Sequence, residues 1–117
     1  MSGAADPPGG TAVRVLVANE PRAYREGIAA AIRVLRPCVE VTTVEPERLE
    51  GSIPRLAPDM VVCNRATGAV REEVPVWVEL YPDYASWSVV SVRGTRSTLP
   101  EIQLLDLISI VDRTADL

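Results

Sequence analysis

The side chains able to do chemistry in this chain of 117 residues are few and one-sided. All twelve cations are arginine, and lysine and histidine are both absent. That removes imidazole bases, histidine metal ligands, Schiff-base lysines and histidine-activated nucleophiles. Two cysteines, Cys38 and Cys63, are too few for a disulfide framework. Each stands beside a predicted strand, so both are expected to be buried free thiols. Carboxylates stand at Glu20, Glu79, Asp83 and Glu101, with no spacing that makes an acid–base pair. No glycine-rich phosphate loop follows a strand, because Gly9 and Gly10 precede the first one. Glu72 and Glu73 read as a solvated turn. No enzyme activity, cofactor or metal is expected.

The elements that must position these groups come from an apolar fraction of 47% that is almost wholly aliphatic, with no Phe, two Trp and three Tyr. The net charge of −4 argues against a nucleic-acid partner, since phosphate binding wants a basic face. No apolar run reaches membrane length. The opening MSGAADPPGGTA lacks the basic and apolar segments of a signal peptide, so a cytoplasmic protein is expected. Residues 1–12 read as a disordered tail and residues 13–117 as one α/β domain.

VRVLVA (13–18) reads as a buried strand. Pro21 opens a helix that Pro37 stops. Tyr24, Ile28, Ala31, Ile32 and Leu35 form its apolar stripe, and Arg22, Arg25, Glu26, Arg33 and Arg36 its wet side. Residues 39–44 make a second strand. A short helix follows from Pro46 to about Leu56, weakened by Gly51 and Pro54. Residues 59–64 make a third strand, with at most a helical turn around Ala69–Glu72 after it. Residues 74–81 and 86–93 are a fourth and a fifth strand. Only PDYA separates them, which favours an antiparallel hairpin over a parallel crossover. Thr98 and Glu101, with Pro100 between them, form a capping box for a last helix over 102–111. Leu104, Leu107 and Val111 give that helix a second apolar stripe beside Ile102, Leu105 and Ile108. It is either a deeply covered core helix or one that serves both core and partner.

RVLVANEPRAYREGI (14–28) resembles the opening of a response-regulator receiver domain, of the LuxR/NarL-type subgroup. RLAPDMVVCN (55–64) is similar to the receiver segment that ends in the phosphoacceptor aspartate. The resemblance covers residues 13–64 and implies a flavodoxin-type doubly wound sheet of about five strands. The sheet is expected to be truncated, with the third and fourth helices reduced or absent. Receiver chemistry would need an acidic pair, and the resemblance places it on Asn19 and Glu20. It places the phosphoacceptor on Asn64, whose amide forms no acyl phosphate. The switch hydroxyl falls near Leu80, and the nearest cation to the receiver's lysine after the fifth strand is Arg93. A hairpin would carry Arg93 to the opposite end of the sheet. Glu20 with two amide carbonyls makes a poor magnesium site.

The resemblance therefore implies a degenerate receiver that takes no phosphate and works through protein contacts in signalling or transcription regulation. The alternatives are a regulatory domain that binds a small ligand in the relict pocket, or a small enzyme. Six residues follow Val111, so no helix-turn-helix domain and no direct DNA contact are expected. With so few helices, one sheet face should be thinly covered. Trp77, Tyr81, Tyr84 and Trp87 would then either fold over it as a lid or meet a protein partner, a second copy first among them. Leu104, Leu107 and Val111 belong to the same expected interface.

Overall fold

The computed structural model describes residues 12–82 and 85–117. The expected tail falls outside these residues except for Ala12, and so do the carboxylate residue Asp83 and Tyr84 of the expected interface. The chain forms a mixed α/β fold on one six-stranded sheet in the order β2-β1-β3-β4-β5-β6. The strands are β1 (Arg14–Val17), β2 (Glu40–Thr43), β3 (Met60–Cys63), β4 (Val76–Glu79), β5 (Ser88–Val92) and β6 (Thr95–Leu99). The helices are α1 (Arg22–Leu35), α2 (Leu49–Leu56), α3 (Gly68–Glu73) and α4 (Leu104–Ala115).

β1 through β4 run parallel, and β4–β5 and β5–β6 pair antiparallel. The β4–β5 return is antiparallel as expected, although the strands stop earlier than expected and leave residues 80–87 as the link. β6 was not foreseen. Thr98, Pro100 and Glu101 imitate a helix start, but Thr98 lies in the strand. The capping box of α4 is made instead by Gln103 and Asp106, whose carboxylate accepts the Gln103 N–H at 2.7 Å. Arg93 (φ +50°) and Gly94 (φ +85°) form the two-residue β5–β6 turn. Two successive positive φ values are what a type I′ hairpin needs, and glycine is the residue that meets that demand without a steric cost.

Both sheet faces are covered over the parallel strands, where thin cover was expected. Val15, Val17, Met60, Val62, Val76, Val78 and Val90 pack under α1 and α4, through Ile28, Ile32, Leu107, Ile108 and Val111. Leu16, Ala18, Val61, Cys63 and Trp77 pack under α2 and α3, through Leu49, Ile53 and Val70. Burying each large aliphatic side chain contributes about 1.5–3 kcal/mol, and α3 adds Val70 to the cover that α2 makes with Leu49 and Ile53. Trp77, Leu107 and Val111 are 3%, 4% and 1% exposed, so the core takes them from the expected interface. Tyr81 is half-buried, its hydroxyl 3.4 Å from the Ile102 backbone. Trp87 and Leu104 remain exposed.

Two further expectations fail for local reasons. Cys38 is exposed, in the turn between α1 and β2, whereas Cys63 is buried. On α1, Tyr24 and Leu35 are exposed while Arg25 is buried. The Arg25 guanidinium turns inward to the carbonyl of buried Asn19 and also meets the exposed Glu20 carboxylate.

Candidate functional site at the strand ends

The carboxyl ends of β1, β3 and β4 meet through backbone bonds. The Ala18 N–H donates to the Val62 carbonyl at 2.8 Å, and the Leu80 N–H to the Cys63 carbonyl at 2.8 Å. These bonds bring Asn19, Glu20, Asn64 and Leu80 to one end of the sheet. Arg93 lies at the other end, where its N–H donates to the Pro75 carbonyl at 2.7 Å. The antiparallel return carries it there, so no cation follows β5 into the site.

Asn64 holds the neighbouring loop. Its side-chain carbonyl accepts the Glu20 N–H at 2.6 Å. The Glu20 carboxylate turns to the Arg25 guanidinium at 3.3 Å, and the same guanidinium donates to the Asn19 carbonyl at 3.3 Å. The Asn19 side chain is fully buried, and neither amide atom has a hydrogen-bond partner among the described residues. Leu80 is 1% exposed and belongs to the core.

Residues outside the expected set complete the site. Arg25 is the buried cation, and a Glu–Arg pair five residues apart across the helix start was its available signal. Glu79, at the end of β4, accepts the Ala66 N–H at 2.7 Å and lies 3.7 Å from Arg71. This bond fixes the β3–α3 loop, and the Thr67 hydroxyl caps α3 by accepting the Val70 N–H. Burial, and then the Glu79 charge, push the Cys63 thiol up to about 12. Its Sγ faces the Val78 carbonyl at 3.6 Å, so it is a neutral core group rather than a nucleophile.

A cleft of about 290 Å³ opens beside these strand ends, lined by Ala18, Glu20, Leu49, Asn64, Ala66 and Thr67 among others. Among the described residues, no three His, Cys, Asp or Glu side chains converge as metal ligands would. No helix of the described residues is long and apolar enough to cross a membrane. Compared with protein-family models, curated proteins and solved structures, the chain matches none.

Proposed function

We propose that the chain is a receiver-like protein–protein interaction module, acting in signalling or transcription regulation without phosphoryl transfer. The observation that carries this reading is the Asn64–Glu20 bond. Where a receiver would present a carboxylate nucleophile, the side-chain oxygen of an amide is committed to the backbone of the next strand end. Phosphoryl transfer depends on positioning and on charge neutralisation. Here the one carboxylate of the former acidic pair is drawn to Arg25, and Leu80 offers no hydroxyl. The strand order β2-β1-β3-β4 supports receiver ancestry. So does the division of helices, with the first and last on one face and the middle ones on the other. Treatment with acetyl phosphate and Mg²⁺ should leave the intact mass unchanged, and beryllofluoride should leave the amide NMR spectrum unchanged. A covalent adduct overturns the reading.

A second reading, a regulatory domain for a small ligand, draws on the cleft beside Asn64 and Thr67. A saturable rise in melting temperature with a small metabolite, lost in Asn64→Ala, would favour it.

A further inference from the structure

We infer that the free edge of β6 pairs with β6 of a second copy, so that two chains share one continuous sheet about a two-fold axis. This names the partner for the interaction-module reading and rests on it. In an antiparallel strand, both backbone groups of a residue face the same neighbour, and successive residues alternate. The Arg93 N–H reaches Pro75, one step beyond the Val76–Val92 pair. Ser91 and Val89 therefore bond toward β4, while Ser88, Val90 and Val92 bond toward β6. The register sets these three opposite Leu99, Ser97 and Thr95. Arg96 and Thr98 are left with their N–H and C=O groups pointing off the sheet, and among the described residues nothing bonds them.

Exposed edges are usually blunted by lysine, proline, a bulge or short length. β6 has five residues, no proline or glycine within it, and Thr95–Thr98 all exposed. Its one charge is folded away from the edge. The Arg96 guanidinium lies 5.2 Å from the centre of the Trp77 ring, across Ser91.

Charge complementarity selects a second copy as the occupant. The groove between β6 and α4 is lined by Ser97, Leu99, Asp106, Ser109 and Arg113, among others. α4 starts just beyond the Leu99 end of β6 and runs back to Thr114, whose hydroxyl meets Met60 at the start of β3. Asp106 and Arg113 therefore sit toward opposite ends of the groove, roughly 10 Å apart along the helix, too far to pair with each other. Arg113 has no ion pair among the described residues. A two-fold axis through Ser97 brings Asp106 toward the partner's Arg113, and Arg113 toward the partner's Asp106. It also pairs Arg96 with the partner's Thr98, which closes all the outward backbone groups. Ser97 then faces the partner's Ser97 as a non-hydrogen-bonded pair, with Cα atoms about 4.5 Å apart.

Light scattering of the full chain should give twice its mass of 12.7 kDa. Thr98→Pro removes only an outward N–H and is tolerated on an edge strand. It should yield a monomer with an unchanged circular dichroism spectrum. Ser97→Cys in a Cys38→Ser background should form an interchain disulfide under mild oxidation, because that spacing suits one. Thr95→Cys, set opposite the partner's Leu99, should not. The crosslinking comparison decides the matter if Thr98→Pro fails to fold. A monomeric wild type, a folded Thr98→Pro that stays dimeric, or Ser97→Cys crosslinking no better than Thr95→Cys overturns the pairing. Each of those results leaves the phosphate reading standing, and an acyl-phosphate adduct sinks that reading without altering the oligomer mass.

Discussion

The Asn64 side-chain carbonyl accepts the Glu20 backbone N–H at 2.6 Å, tying the end of β3 to the loop that enters α1. The amide acts here as a brace between two strand ends. A net hydrogen bond of this kind contributes about 0.5–1.5 kcal/mol. Asn64→Ala should destabilise the fold by roughly that amount, read as a lower urea midpoint with an unchanged slope.

Asn19 should behave in the opposite way. Its amide is fully buried with both polar atoms unpartnered among the described residues. A buried polar group left unsatisfied costs about 1–3 kcal/mol. Asn19→Leu, with the same number of side-chain heavy atoms, should keep or raise the melting temperature, because Arg25 bonds the Asn19 backbone rather than its side chain. A clear loss of stability would mean that the amide has an essential partner.

The two thiols should separate cleanly. At neutral pH a thiol reagent should modify exposed Cys38 in the native protein and reach Cys63 only after unfolding. The folded Cys63 thiol titrates near 12, above the ordinary value of 9.0. Between those values the unfolded chain releases a proton that the native chain keeps, so the contribution of this group to stability falls as pH rises from 9 toward 12. Cys63→Ala should flatten that part of the stability curve.

Glu79 is the brace of the β3–α3 loop. Glu79→Ala leaves the Ala66 N–H without its acceptor and should cost about 1–3 kcal/mol. Glu79→Gln retains an acceptor oxygen and should cost less. Denaturant unfolding of the two variants distinguishes loss of the bond from loss of the charge.

Arg96 covers Trp77 on the sheet face beyond α3. Arg96→Ala should cost about 0.5–1 kcal/mol, the worth of an exposed cation–π contact. It should also shift tryptophan emission to the red as water reaches the ring.

How far the sequence foretold this depended on how local each signal was. The apolar runs at Val15–Val17 and Met60–Cys63 locate strands that need burial on both faces, and PDYA is too short for a parallel crossover. β6 escaped because TRSTL has little apolar alternation, while Thr98, Pro100 and Glu101 imitate a helix cap. The Arg93-Gly94 turn between two β-branched runs was its available signal. Trp77 is expected in a lid or an interface because its cover comes from the α2–α3 cluster and from Arg96, contacts that sequence spacing does not show. The site residues Asn19, Glu20 and Asn64 converge because β1 and β3 are adjacent parallel strands. Arg25 and Glu79 depend on where side chains turn in three dimensions, and spacing alone places neither.

With Asn64 in place of a carboxylate, the site is proposed to be inert to phosphoryl transfer. The most direct test is the intact mass of the wild-type chain after prolonged incubation with acetyl phosphate and Mg²⁺. The mass should stay unchanged at every time point. A stable increment of one phosphoryl group, removed by mild alkali as an acyl phosphate would be, contradicts the proposal.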